Sequence, residues 1–223
     1  MTSDAVRGTH PPLNAVRGTL TALNAGRGTL TRFSAVILAG GAGIRLGGVD
    51  KAAVELDGRS LLSRALAAVQ GAEQVVVVGP ERDGFAVDWA CEDPPGGGPA
   101  AALAAGVERL SGVTTTVMAL AVDHPGVGQA TVERLIRALW ADSQAAGALL
   151  MDDGDARTTQ WLVSAWRYPA LRAALSGEMT GRALRRVLGG LPMISVAATG
   201  AESADVDTPA DLADWQARLT TDM

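Results

Sequence analysis

The chain has 223 residues, 48% of them hydrophobic, a net charge of −5 and one cysteine. That length and apolar content suffice for one sizeable core, read as a single domain with room for a small second lobe. No apolar run approaches the ~20 residues of a membrane-spanning helix. Cys91 cannot form an internal disulfide, which suits a cytoplasmic chain with no membrane partner, and it is expected to be an inert buried thiol.

The charge is unevenly spread. Residues 1–32 carry Arg7, Arg17, Arg27 and Arg32 against Asp4 alone, and the remainder holds 15 basic and 23 acidic residues, a net of −8. So acidic a body is unsuited to wrapping a nucleic acid backbone, and any phosphate ligand needs a local site. The N-terminal segment repeats with period ten: "AVRGT" at 5 and 15, "AGRGT" at 25. The period fits no solenoid unit, and the segment is too poor in large apolar residues to build a core. It reads as a disordered leader over 1–32 ahead of a folded domain over 33–220. Its composition superficially resembles a transit peptide, but a duplicated low-complexity extension, or a start assigned too far upstream, is the favoured reading.

From Phe33 the pattern is globular. "FSAVILA" predicts a buried strand running into glycines, and Ser60 caps a helix over "LLSRALAAVQ" that stops near Gly71. "EQVVVVG" predicts a second strand and "FAVDWACED" a third, ended by the breaker "PPGGGP". Pro99 opens a helix over "AAALAAGVERL", and "TTTVMALAVD" predicts a strand ending on Asp123. Strands alternating with helices imply an α/β fold with a parallel sheet covered on both faces. Ligands of such sheets bind beyond the carboxyl ends of the strands, where the glycine loop, Asp93 and Asp123 all fall.

The loop "LAGGAGIRLGGVDK", residues 38–51, ends in the only lysine of the chain; the other 18 basic residues are arginine. It is no P-loop, because Lys51 follows Asp50 and precedes Ala52, and no dinucleotide fingerprint, because Leu46 stands at the last glycine position. What remains is a strand, a Gly-Gly turn, and the cations Arg45 and Lys51 among further glycines at 43, 47 and 48. Successive glycines let backbone N–H groups converge on an anion. A compact ammonium approaches a phosphate oxygen as a point charge, where a planar guanidinium would not fit. The ordinary alternative is a loop with two surface cations. Asp123, at a strand end before Pro125, suits Mg²⁺, which takes one or two carboxylates plus substrate phosphates; the alternative is a turn cap. His124 is read as incidental.

Four motifs carry a family resemblance: "LAGGAGIRLGGVDK", "EDPPGGGPAAAL", "AVDHPGV" and "DVDTPADL". Over about residues 33–218 the chain resembles the molybdenum cofactor guanylyltransferases, nucleotidyltransferases that activate molybdopterin. The resemblance implies a Rossmann-like, three-layer α/β nucleotidyltransferase fold with a mostly parallel central sheet. It implies that Leu38, Ala39 and Gly40 hold the base and ribose of GTP, that Gly41 and Arg45 lie beside the phosphates, that Lys51 neutralises the triphosphate, and that Asp93 contacts the nucleoside. Asp123 would bind nucleotide and Mg²⁺, with Asp207 as a second metal contact and Lys51, Arg45 and Asp123 as the catalytic set. The similar cytidylyltransferases tend to read Leu-Ala-Ala-Gly, so Gly40 favours guanine.

Two departures bear on the acceptor. The guanylyltransferases often carry Asn-x-Asn before the C-terminal Thr-Pro, where this chain has Asp205 and Asp207; and "QWL" at 160–162 replaces Gln-Pro-Leu, leaving Gln160 and Asp205 as candidate acceptor contacts. Trp161 would reshape that lobe, with core packing as the ordinary alternative for it and Trp166. Thr208 and Asp211 have the spacing of a capping pair, with Pro209 first in a helix. The implied reaction moves GMP from GTP-Mg to the phosphate of molybdopterin with release of pyrophosphate, and implies contact with molybdoenzyme maturation proteins. The alternatives are a transferase using CTP or another phosphorylated acceptor, such as phospholactate or a sugar or polyol phosphate, and a non-catalytic nucleotide-binding or assembly protein.

Overall fold

The computed structural model describes residues 32–40, 49–111, 114–152 and 158–221. The N-terminal repeat therefore lies outside the described residues, as do Gly41 and Arg45.

A seven-stranded sheet forms the centre. Its strands in chain order are β1 (Ser34–Leu38), β4 (Val75–Val78), β5 (Asp88–Ala90), β6 (Thr116–Ala121), β7 (Gly147–Met151), β8 (Thr159–Arg167) and β9 (Met193–Ala197), while β2 (Glu55–Leu56) and β3 (Arg59–Ser60) make a separate hairpin. The spatial order is β5-β4-β1-β6-β8-β7-β9. Only β8 runs against its neighbours; every other pairing is parallel. The mostly parallel α/β architecture expected from the alternation of elements is thus present, with one antiparallel strand inserted.

The strands are apolar on both faces because both faces are covered. Along β1, Ala35 and Ile37 enter one core while Val36 and Leu38 enter the other; along β6, Met118 and Leu120 oppose Val117 and Ala119 in the same way. The first core is closed by α1 (Leu61–Ala68), α3 (Gln129–Ala141) and, through Trp215, α6 (Pro209–Thr221). The second is closed by α2 (Pro99–Glu108), α4 (Tyr168–Ala174) and α5 (Leu184–Leu188). This makes three layers. Trp166 is fully buried in the second core and Trp161 packs partly buried against it, so both indoles serve packing.

Local signals hold at several helix starts. Ser60 accepts from the Ser63 amide at 3.1 Å, and Pro99 opens α2. Before α6 the Asp211 carboxylate accepts from the Thr208 amide at 2.7 Å, while the Thr208 hydroxyl accepts from the Asp211 amide at 3.2 Å. Among the described residues, no helix is long and apolar enough to cross a membrane.

Helix α2 sits hard against the sheet at Gly106, where a Cβ would stand 2.3 Å from Val36 Cγ1 and 2.8 Å from Val78 Cγ2. Alanine is favoured over glycine within a helix by about 1 kcal/mol. Overpacking a close-packed core costs about 1–3 kcal/mol, so packing outweighs propensity here. Gly106→Ala is expected to lower the urea midpoint at unchanged m-value; an unchanged or raised midpoint would show that helix and sheet separate freely.

Candidate functional site

The strand order doubles back at β1: the chain runs outward through β4 to β5 and then returns to the other side of β1 as β6. The carboxyl ends beside such a reversal are where open α/β sheets take ligands. There the structure has a cleft of about 700 Å³ whose walls include Leu38 at the end of β1 and Gly40 just after it, Gly79 after β4, and Pro95, Gly96, Gly98 and Pro99 at the entry to α2. Lys51, Asp123 and Asp207 also face it. Gly79 is required by shape, since its φ is +147° and a Cβ would lie 3.1 Å from the Gly40 amide nitrogen.

The charged centre joins three distant segments. Lys51 opens a short 3₁₀ turn, Lys51–Ala53. Its ammonium donates to Asp123 Oδ2 at 3.2 Å and to Asp207 Oδ1. The Lys51 side chain is 16% exposed, Asp123 25% and Asp207 33%, so the group is half-sheltered from water. Burial alone would lower the lysine pKa, but the hydrogen bonds and fields of Asp207 and Asp123 outweigh it and hold the ammonium above its ordinary range. Burial and then the neighbouring Asp207 raise Asp205, while Asp123 adds to the repulsion.

His124 is not an ordinary turn residue. Its side chain is 7% exposed, Nε2 stands 3.8 Å from Asp123 Oδ1, and its buried Nδ1 has no hydrogen-bond partner among the described residues. Burial lowers its pKa against the opposing fields of Asp123 and Asp205.

The remaining expected residues distribute as follows. Ala39 is buried and donates its amide to Val78 O at 2.9 Å, while its neighbours Leu38 and Gly40 reach the cleft. Asp93 is exposed and does not line the cleft, though Glu92 and Pro95 on either side of it do. Gln160 donates to the Ser203 carbonyl at 3.4 Å rather than facing the cleft, and Leu162 is the β8 residue that does. Cys91 corrects an expectation: it is exposed on the cleft wall, because β5 ends at Ala90 and the chain turns outward there.

The family comparison agrees with this geometry. A model described as the MobA-like NTP transferase domain matches residues 35–197. The chain belongs to this family. A molybdenum cofactor guanylyltransferase of Rhodobacter capsulatus is 30% identical over 197 residues, covering 84% of this chain and 97% of the relative. One from Acidiphilium cryptum (strain JF-5) is 34% identical over 192 residues, covering 80% and 91%. The crystal structure of molybdopterin-guanine dinucleotide biosynthesis protein A from Archaeoglobus fulgidus shares the fold, with a TM-score of 0.63 at 18% identity over 86% of this chain and 100% of that one. This MobA-like chain is a nucleotidyltransferase.

Two networks that sequence reading missed support the MobA-like site. Asp50, just before Lys51, accepts two bonds at 2.8 Å and one at 3.1 Å from the Arg82 guanidinium, and also accepts from the Ala52 amide at 3.1 Å. Arg82 in turn stacks 5.9 Å from the Trp89 ring centroid. The turn carrying Lys51 is thereby pinned to the loop after β4. On the other side, buried Glu202 accepts from the Thr131 hydroxyl at 2.5 Å, from both Arg134 terminal nitrogens and from the Thr199 amide at 2.7 Å. This ties the segment leading to Asp205 and Asp207 onto α3. Gly126 lets that segment close in, as a Cβ there would lie 2.4 Å from Ala201 O; the Val206 amide then reaches Asp123 O at 2.9 Å. No local pattern could reveal partners 68 to 71 residues apart.

Burial opposes the Glu202 charge, but Arg134, Thr131 and the Thr199 amide overcome it and depress its pKa below the ordinary carboxylate range. A depressed carboxylate stabilises the fold above its unfolded pKa of about 4.3 and loses that contribution as pH falls through the folded value. Glu202→Gln is expected to cost about 1–3 kcal/mol near pH 7, in the range of hydrogen bonds to charged groups. Urea denaturation of both proteins from pH 7 to 3 should show the difference shrinking in the acid range; a pH-independent difference would refute the ionic contribution.

Proposed function

We propose that this chain transfers GMP from GTP to the phosphate of molybdopterin, releasing pyrophosphate. One observation carries the reading: the single lysine and the carboxylate after β6, 72 residues apart, meet in one cleft at the point where the strand order reverses. The names of the two sequence relatives support guanylyl transfer and molybdopterin as acceptor. A cleft of about 700 Å³ suits a nucleotide, since small-molecule sites run roughly 300–1,000 Å³.

In this reading the Leu38–Gly40 backbone holds base and ribose, Asp93 reaches the nucleoside from the rim, and Gly41 and Arg45 attend the phosphates. An acceptor phosphate monoester, with a second pKa near ~6, is already largely dianionic at neutral pH. Its oxygen attacks the α-phosphorus in line, the new P–O bond forms, and the bond to the β-phosphate oxygen breaks. No general base is needed, and the buried His124 is not among the walls of the cleft. Lys51 stabilises the charge that builds on the leaving pyrophosphate.

Asp123 and Asp207 fit Mg²⁺, which prefers hard oxygen ligands and takes one or two carboxylates together with substrate phosphates. When bound there it would draw charge from the phosphate oxygens. Gln160 and Asp205, neither of them among the cleft walls, are proposed to contact the acceptor from beside the cleft. Residues 1–32 are proposed to form a leader outside the catalytic domain of 33–220, and the chain to act in the cytoplasm with molybdoenzyme maturation proteins as partners.

A second reading rests on Asp205 and Asp207, which stand where the guanylyltransferases often have asparagines: the acceptor is then a different phosphorylated compound. Pyrophosphate release measured with each of GTP and CTP against molybdopterin, phospholactate and sugar phosphates separates the readings. Release with GTP and molybdopterin supports guanylyl transfer, and release only with another pair overturns it. Lys51→Ala and Asp123→Ala should each fold and lose roughly 10² or more in turnover, the usual effect of deleting a preorganised electrostatic group. Near-normal turnover in both would refute these roles.

A further inference from the structure

Arg82 stands among exposed residues of the loop after β4, yet its own side chain is only 17% exposed. Three segments that border the cleft converge on its guanidinium. Nε and one terminal nitrogen donate to both oxygens of Asp50, the residue before Lys51. The other terminal nitrogen donates to the Pro80 carbonyl at 2.8 Å, and Pro80 is a wall of the cleft. The third segment is β5, through the Trp89 ring under the guanidinium; Cys91 and Glu92, just beyond that strand, also line the cleft. An ion pair this open on the Asp50 side, which is 47% exposed, contributes little to stability. Its contacts are better suited to fixing direction, since a planar fork bonded to two segments sets angles that a single ammonium does not.

On the reading of Lys51 as the group that stabilises the leaving pyrophosphate, we infer that Arg82 is a positioning residue for the transfer: acting through Asp50, it sets where the Lys51 ammonium stands relative to the cleft wall after β4. Stabilisation of a developing charge depends on the cation being in place before the reaction begins. A misplacement of about 1 Å can cost about 10²-fold in rate. The constraint passes into the backbone of the Lys51 turn, because Asp50 accepts from the Ala52 amide with its side chain and from the Ala53 amide, at 3.0 Å, with its carbonyl. The wall on the other side has its own anchor, since the Gly79 amide donates to Ala90 O at 2.9 Å. Loss of Arg82 therefore frees the lysine turn more than the wall. The rate of the chemical step falls, while contacts that the wall makes with a bound nucleotide persist.

Pyrophosphate release by the full chain, with the nucleotide and acceptor pair that supports turnover, gives the first readout. Arg82→Ala is expected to lower kcat about tenfold or more, with KM for the nucleotide within about threefold of wild type. Its melting temperature should stay within about 4 °C of wild type. Arg82→Lys keeps the charge but not the fork and should recover little of the loss. In a Lys51→Ala background Arg82→Ala should cost nothing further, because a residue that acts through Lys51 then has nothing to position. Losses that multiply in the double variant, or wild-type kcat in Arg82→Lys, overturn the inference. Asp50→Asn keeps an acceptor for the Ala52 amide, should match Arg82→Ala, and serves if the alanine variant fails to fold. The second readout needs no turnover. Lys51 is the only lysine, so the chain labelled with ¹³C-lysine has a single Cε resonance, which should move in Arg82→Ala and in Asp50→Asn. An unmoved resonance in the folded variants overturns the inference. A moved resonance in a chain that turns over no nucleotide with any acceptor would sustain the positioning of Lys51 and count against the nucleotidyl-transfer assignment instead.

Discussion

The bridge between one ammonium and two carboxylates organises this molecule. It draws together the turn after β1, the end of β6 and the start of α6, segments separated by 72 and 156 residues. Lys51 sets a positive charge between two half-sheltered carboxylates, while burial and the neighbouring Asp207 raise the pKa of Asp205 beside them.

The positions of these groups depend on charges outside the cleft. Arg82 fixes Asp50, and through it the turn that carries Lys51; Arg134 fixes Glu202, and through it the segment that carries Asp205 and Asp207. Both anchors are arginines paired through more than one nitrogen, which sets direction as well as distance. The chain's preference for arginine has a physical counterpart here: the guanidinium serves where direction must be fixed, and the lone ammonium serves where one point charge meets two carboxylates.

Several elements were legible from the sequence because their signals are local. The apolar run ending in glycines at β1, the Ser60 cap, Pro99 and the Thr208–Asp211 pair each depend on a few adjacent residues, and each stands in the structure as its chemistry requires. The cleft location followed from strand alternation alone. The second half was less legible. The insertion of β8 between β6 and β7 is a long-range pairing with no mark in its own residues, and the hairpin β2–β3 is too short to show a period. Cys91 was misread because lone cysteines are usually buried, whereas the length of β5 decides its exposure. His124 was undervalued because its burial comes from the segment ending at Val206, which folds back onto the loop after β6.

One consequence follows from the antiparallel strand. Because β8 is hydrogen-bonded to β6 on one side and β7 on the other, the strands that carry the cleft and those beyond β8 belong to a single unbroken sheet. Swinging one half as a rigid lobe would tear a backbone ladder, so hinge-like jaws are not available to this architecture. Enclosure of reactants falls instead to short connecting segments along the strand tips, where exchanging a handful of side chains could retune acceptor choice while the framework stays fixed.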